Sequence, residues 1–360
     1  MKETELDREK IFSPLLPGYP LKIGGVAVEN PIWLAPLAGI TFASVRKFYR
    51  KLGAGLVHTE MVSALGLCHK GRKTKELLFG SDEERPAVLQ LFGSKPEDIA
   101  RGADAALEIR KFEALQINMA CPMPKVTKKG SGAKLMSEPE VSAEIIRVMK
   151  KTGLPVWAKI RTMPAGGVLT TCEYCDRLFG SGADFIFIHG RTPAQRYEGK
   201  ASRDEVEEAA LRFPGMIGGS GDCYEPGDFM DYLNRGCAAV LAGRGILRDV
   251  FIIPKTLRVL GGEVPRQYWD PSPHFQSELL LELGRSIYNT EGQSHALMIS
   301  RRMLAALFKG FSGAVRLRRH GALARSWQEM EDLLAGWQDN IDLTETEYTK
   351  ENFPRGVIGG

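Results

Sequence analysis

The sequence predicts an α/β fold, a (β/α)8 TIM barrel followed by an all-helical C-terminal domain. Three observations lead there. Eight short apolar, β-branched runs recur between residues 32 and 245, each is followed by an amphipathic stretch of helical period, and strand-like runs cease near residue 270. Runs that are apolar throughout, rather than strictly alternating, indicate strands buried on both faces. Strands alternating with helices indicate parallel βαβ units, and eight such units in sequence favour a closed barrel over an open sheet.

The runs are IWLAPLAG (32–39), LVHTEM (56–61), AVLQLFG (87–93), ALQINMACP (114–122), PVWAKIR (155–161), DFIFIHGR (184–191), GMIGGSGD (215–222) and AAVLAGRG (238–245). Between them, Ser94, Pro96, Glu97 and Asp98 open a helix with a cap, a proline in the first turn and acids at the positive end. Ser137, Pro139 and Glu140 repeat that pattern before a helix that stops at Gly153 and Pro155. Residues 275–289, 294–309 and 326–338 read as amphipathic helices, and Pro265, Pro271 and Pro273 mark the linker to them. The expected division is an N-terminal extension (1–20), the barrel (21–265), a helical domain (266–345) and a tail (346–360).

Composition bounds the function classes. The chain has 360 residues, 43% hydrophobic and 26% charged, with net charge +4. That is ordinary for a soluble globular protein large enough to bury its own core. The charged start, MKETELDREKIF, lacks the apolar centre of a secretory signal, and no apolar stretch is long enough to span a bilayer. A cytoplasmic chain is expected, a monomer without protein or membrane partner. The six cysteines are sparse and scattered, as reduced thiols are. Cys172 and Cys175 form one CxxC without a second pair or a zinc-spaced histidine, so they read as two helix residues and no metal is expected.

Ligands of such barrels bind at the carboxyl ends of the strands. Here those ends carry Gln90, Asn118, Cys121, Lys159, Arg161, His189, Arg191, Asp222 and Arg244. Any one of them alone could be structural, but so many on one rim require partners, because unpaired buried polar groups are costly. The seventh and eighth runs end in GGSGD (218–222) and GRG (243–245), where backbone N–H groups can approach a phosphate. A phosphorylated cofactor is therefore expected, with Lys159 and His189 facing its ring. Cys121 stands at the mouth of the fourth run, before Pro122. A free thiol is mostly protonated at neutral pH and can act as a general acid. The loop after it carries Lys125, Lys128, Lys129 and Lys134 without an acid, and residues 301–325 hold Arg301, Arg302, Lys309, Arg316, Arg318, Arg319 and Arg325, also without one. Two basic surfaces flanking one barrel mouth favour RNA or another polyphosphate.

The segments APLAGIT (35–41), TEMVSA (59–64), QLFGS (90–94), NMACPMPKV (118–126), GSGAKLM (130–136), KIRT (159–162), HGRTPAQRYEG (189–199), GSGD (219–222) and AGRG (242–245) together resemble the tRNA-dihydrouridine synthase family, over residues 22 to 340. The resemblance implies FMN as cofactor, NADPH as reductant and reduction of a uridine in tRNA to 5,6-dihydrouridine, with hydride passing from FMN N5 to C6 and a proton from Cys121 to C5. It implies that Pro36, Leu37 and Ala38 pack by the flavin, that Gln90, Lys159 and His189 bond its ring or ribityl chain, and that Ser220, Gly221, Asp222, Gly243 and Arg244 hold its phosphate end. Asn118 and Arg161 would orient the uracil, with Lys125, Arg191, Arg316, Arg318 and Arg319 on the substrate side. The chain departs from the family pattern at Phe42 (usually Asp), Ala120 (usually Gly) and Ser220 (usually Asn). Competing readings are the same reaction on ribosomal RNA, a flavin oxidoreductase of dihydropyrimidines or dihydroorotate, and a non-catalytic RNA-binding barrel.

Overall fold

The computed structural model describes residues 21–309 and 313–338. The expected extension (1–20), the tail (346–360) and the last part of the expected helical domain (339–345) lie outside the described residues. The chain opens with an antiparallel hairpin, β1 (Leu21–Ile23) and β2 (Val26–Val28). Eight parallel strands follow: β3 (Ile32–Leu34), β4 (Val57–Ser63), β5 (Ala87–Phe92), β6 (Ala114–Asn118), β7 (Val156–Arg161), β8 (Phe185–His189), β9 (Ile217–Ser220) and β10 (Ala239–Ala242). Each lies beside its sequence neighbour, and β10 pairs with β3 to close the barrel. Seven of the eight apolar runs contain a strand, and β4 extends two residues beyond the run at 56–61.

The helix-start signals act largely as read. Pro96–Ile109 has Pro96 in its first turn with Glu97 and Asp98, although its N-cap is Lys95 rather than Ser94 and supplies no side-chain cap. Pro139–Lys150 starts the same way, and Gly153 follows it at φ +79°. Thr170 and Glu173 form a capping box at the head of Thr171–Gly180, which buries Cys172 and Cys175 as free thiols.

The barrel interior is layered by the two-residue period of its strands. Phe185, Phe187 and His189 share one face of β8, as Trp157, Lys159 and Arg161 share one face of β7. At the lower level Trp33 stacks on Trp157 with ring centroids 5.5 Å apart, and Phe185 meets Phe187 edge-on at 5.1 Å. Such pairs add about 0.5–1.5 kcal/mol each beyond burial. Gly218 faces the same space, where a Cβ would lie 2.3 Å from the Phe187 ring. The hairpin seals this end. Ile23, Val26 and Val28 pack with the aromatic layer, and Trp157 Nε1 donates to the Gly24 carbonyl at 2.8 Å. Along β7 and β8 the inward residues therefore change from aromatic to polar, leaving the carboxyl ends as the place where chemistry can occur.

Among the described residues beyond 270 there are four helices, Pro273–Glu291, Gln293–Ala306, Ala314–Leu323 and Trp327–Gln338. The third was not read as a separate helix; it runs through the basic stretch. Leu280, Ile287, Ile299, Met303, Leu317 and Met330 are buried among them. The group is tied to the barrel beside β3. Ser44 Oγ donates to Glu291 Oε2 at 2.8 Å, Lys51 pairs with Glu282 at 2.5 Å, and Phe42 meets His295 edge-on at 5.4 Å. The departure at position 42 thus puts an aromatic ring into the seam between barrel and helices. No helix among the described residues is long and apolar enough to cross a membrane.

Candidate active site

The carboxyl ends of the strands surround a cavity of about 470 Å³, within the size range of small-molecule and cofactor sites. Pro36, Leu37 and Ala38 after β3 and Met61 of β4 supply an apolar wall. Opposite stand Asn118 of β6, Cys121 and Lys125 of the loop after it, Lys159 and Arg161 of β7, and His189 of β8. Ser220, Gly221 and Asp222 at the end of β9, with Gly243 and Arg244 after β10, complete the ring. The thiol and both glycine turns open on one space.

Lys159 and His189 are polar groups without protein partners. Lys159 is 9% exposed, and among the described residues its Nζ has no hydrogen-bond or ion-pair partner. Burial, then the neighbouring Arg161 guanidinium, pulls its ammonium down to about 7. His189 Nδ1 is buried and unpartnered. Burial first, then Lys159, Arg161, Arg191 and Arg244, hold that imidazole neutral. A buried orphan of this kind demands an explanation, and a ligand with hydrogen-bonding edges supplies one. In the turn after the neighbouring strand β9, Asp222 accepts from Arg191 Nη2 at 2.7 Å and from the Ala201 N–H at 2.8 Å, with Arg244 Nη2 at 3.6 Å. Burial would raise that carboxyl, but these donors outweigh it and keep it below its ordinary range. Gly243 has only Ala35 Cβ, at 3.9 Å, near the place a Cβ would take, so its backbone faces open cavity. Gly245 has no such room, since a Cβ there would lie 2.1 Å from the Cys223 carbonyl oxygen. Two partnerless polar side chains, a glycine-lined opening and Arg244 fit a planar cofactor that ends in a phosphate.

Cys121 is half-buried, and its backbone is held from both sides. Its N–H donates to Asn118 Oδ1 at 2.9 Å, and its carbonyl accepts from the Ala133 N–H at 2.9 Å. Gly132, at φ +63°, lets the chain pass this closely, because a Cβ would lie 2.6 Å from the Cys121 carbonyl oxygen. Arg161 braces the same loop. Its Nε donates to the Ala120 carbonyl at 2.7 Å and its Nη1 to the carbonyls of Thr192 and Arg196 at 3.0 and 2.8 Å. Burial lowers its guanidinium to about 10, so it stays charged at neutral pH. Ala120, another departure, is 6% exposed and offers its carbonyl to this brace.

Some expected residues are placed elsewhere. Gln90 is fully buried behind Asn118 rather than on the cavity wall, because β5 turns its side chain into a chain of amides. Arg191 is 3% exposed and donates to Asp222 and to the carbonyls of Glu198 and Gly199, so it reaches the cavity only through Asp222. Arg316 and Arg319 are exposed on Ala314–Leu323, while Arg318 Nη1 is turned back to the Phe308 carbonyl at 3.1 Å. Asn118 does line the cavity, but its Oδ1 is taken by the N–H groups of Ala120 and Cys121. Two aromatic rings of the wall, Tyr197 and Tyr224, carried no sequence signal of their own. Tyr197 lies under both Arg244 and Arg161, with guanidinium carbons 4.8 and 5.8 Å from its ring centre. Only the fold of the loop after β8 brings it back over the mouth.

A family model for dihydrouridine synthase (Dus) matches residues 33–342. A probable tRNA-dihydrouridine synthase 1 of Synechocystis is 29% identical over 325 residues, covering 89% of this chain and 90% of that protein. A probable tRNA-dihydrouridine synthase of Treponema pallidum is 30% identical over 253 residues, 67% of this chain and 74% of its own length. The tRNA-dihydrouridine synthase B of Pasteurella multocida is 28% identical over 296 residues, 81% and 87% of the two chains. With a closed eight-stranded barrel, a thiol at its mouth and a match along most of its length, the chain belongs to the dihydrouridine synthase family.

Proposed function

We propose that this chain reduces uridine to 5,6-dihydrouridine in tRNA, using FMN as cofactor and NADPH as reductant, with Cys121 as the proton donor to C5. One observation carries the reading: Cys121, the partnerless Lys159 and His189, and both glycine turns line a single cavity. Lys159 and His189 would hold the flavin ring and ribityl chain, with Pro36, Leu37 and Ala38 packed beside them. Ser220, Gly221, Gly243 and Arg244 would hold the phosphate. Asp222 is an anion, so its part is to fix Arg244 and Arg191 rather than to touch the phosphate. Bound there, FMN in its reduced form would supply the hydride for C6 of the base.

The protein's own groups do the rest. Arg161 and Asn118 keep the Cys121 loop facing the cavity, and Tyr197 offers a ring face at its entrance. A uridine within folded RNA reaches this depth only when flipped out of its stack, at a cost of a few kcal/mol. Contacts outside the barrel mouth offset that cost. Lys125, Lys128, Lys129 and Lys134 are exposed on the loop after Cys121, and Arg316 and Arg319 are exposed on the helical side. In this reading residues 21–265 form the catalytic unit and 266–345 the RNA-binding unit.

The test is direct. Flavin-loaded protein incubated with unmodified tRNA transcript and NADPH should yield dihydrouridine, read by mass spectrometry of the nucleosides. Turnover of free uracil or orotate with no change in tRNA would replace this reading by a small-molecule one. The lysine adds a pH dependence. In the flavin-free protein Lys159 titrates at about 7, and an anionic cofactor beside it favours the ammonium form. Binding above that pH must then take up a proton, so FMN affinity should fall as pH rises from about 7 to 9, by up to roughly tenfold per unit. Lys159→Met should bind FMN more weakly and with a flat profile over that range. An unchanged slope by calorimetry would remove Lys159 from the cofactor site.

A further inference from the structure

A continuous line of buried hydrogen bonds runs from the barrel interior to the Cys121 loop. His58 Nδ1 lies 2.8 Å from the Leu34 carbonyl, and His58 Nε2 lies 3.4 Å from Gln116 Nε2. Gln90 Nε2 donates to Gln116 Oε1 at 2.5 Å, and Asn118 Nδ2 donates to Gln90 Oε1 at 2.8 Å. Asn118 Oδ1 then accepts from the N–H groups of Ala120 and Cys121, at 3.1 and 2.9 Å. His58, Gln90 and Gln116 are fully buried and Asn118 is 4% exposed, so water does not compete for these bonds.

The direction of every link is fixed from both ends. A carbonyl can only accept, so His58 Nδ1 must carry the proton and Nε2 must be the acceptor. Gln116 must therefore present its NH₂ to His58 and its oxygen to Gln90. Gln90 must present its NH₂ to Gln116 and its oxygen to Asn118. From the other end, two backbone N–H groups require the Asn118 oxygen, which sends its NH₂ toward Gln90. The two constraints agree at every link. Reversing one amide would set NH₂ against NH₂ or oxygen against oxygen in a site with no water to relieve it.

We propose that His58 is a positioning residue for Cys121, which acts through Gln116, Gln90 and Asn118 by fixing the orientation of the Asn118 carboxamide that holds the Cys121 loop. The proposal rests on the reading of Cys121 as proton donor. Burial holds the His58 imidazole neutral, down to about 3, against the bond to Leu34 that would raise it, so its tautomer persists across the working pH range. Its ring packs edge-on to Phe187 at 5.8 Å and tilted against Trp157 at 6.1 Å, which fixes where Nε2 points.

The test has two arms. Histidine labelled with nitrogen-15 should show the His58 imidazole, assigned by its loss in His58→Phe, in the neutral Nδ1–H form that does not titrate in the folded, flavin-loaded protein; a His58 found as the Nε2–H form overturns the proposal. His58→Phe keeps the aromatic packing and deletes both nitrogens. It should lower kcat by roughly tenfold or more at an RNA KM within about twofold. It should also change the iodoacetamide alkylation rate of Cys121, mapped by peptide mass, by at least about threefold. His58→Gln, which returns an acceptor to Gln116, should recover most of both. If His58→Phe does not fold, Gln116→Met cuts the same line one link on and takes its place. A variant that keeps both kcat and alkylation rate at parental values overturns the proposal. Failure of the proton-donor reading looks different: Cys121→Ala would stay active while the tautomer and alkylation results stand.

Discussion

Cys121→Ala is expected to leave a yellow, RNA-binding protein that forms dihydrouridine at least about a hundredfold more slowly, the usual contribution of a positioned general acid. The reasons are geometric. Cys121 is on the wall of the cavity that Lys159, His189 and the glycine turns share, and its backbone is anchored through Asn118 and Ala133. Those anchors use the backbone N–H and carbonyl of Cys121 rather than its side chain, so removing the thiol leaves the loop in place and flavin and RNA binding intact. Lys159 and Arg161 stand on the same wall, but Arg161 is committed to three carbonyls and the lysine is assigned to the cofactor. Neither can take over proton delivery without leaving its place. Single-turnover measurements separate the steps. Reoxidation of the pre-reduced enzyme by RNA should slow, while reduction by NADPH proceeds at the parental rate. Parental dihydrouridine formation in the variant would show that another group delivers the proton. Cys121→Ser should also fall far below the parent, because a hydroxyl is a much weaker acid at the same place.

The fold was legible because barrel strands are buried on both faces, so all eight appear as largely apolar runs that polar or glycine-rich turns terminate. The hairpin at Leu21–Val28 was not read, since strands of three residues around a Gly-Gly turn leave too little pattern to count. The same burial that exposes the strands conceals what lies inside them. His58 and Gln116 sit within apolar runs, and with both faces dry, no alternation marks the side that points into the barrel. A polar residue inside such a run, two positions before another as Gln116 is before Asn118, was the available signal. The mouth was legible as a set of strand ends, and most of the residues named there do line the cavity. Sequence position could not show that Gln90 turns behind Asn118 or that Arg191 folds beneath Asp222. Nor could it show that Tyr197 returns over the opening, because each depends on a side-chain direction set by a neighbouring strand.

Two glycines of the β10 turn should respond differently to the same added methyl. In Gly245→Ala the new Cβ meets the Cys223 carbonyl oxygen at 2.1 Å. That atom is backbone, held in the turn that follows β9, and no side chain can swing aside to make room. The turns after β9 and β10 must separate, which should cost about 1–3 kcal/mol of stability in the flavin-free protein and lower its melting temperature by several degrees. Since both turns frame the expected phosphate site, FMN retention should be lost as well. In Gly243→Ala the methyl has only Ala35 Cβ within 4 Å, at 3.9 Å, and otherwise occupies the cavity. Its flavin-free stability should fall less than that of Gly245→Ala, while FMN affinity drops by at least roughly tenfold, or about 1.4 kcal/mol. Melting curves without flavin and fluorescence titrations with FMN distinguish the two. Gly243→Ala binding FMN as tightly as the parent would mean that the cofactor does not lie over this turn. The phosphate would then have to be held by Ser220 and Gly221 on the β9 side alone.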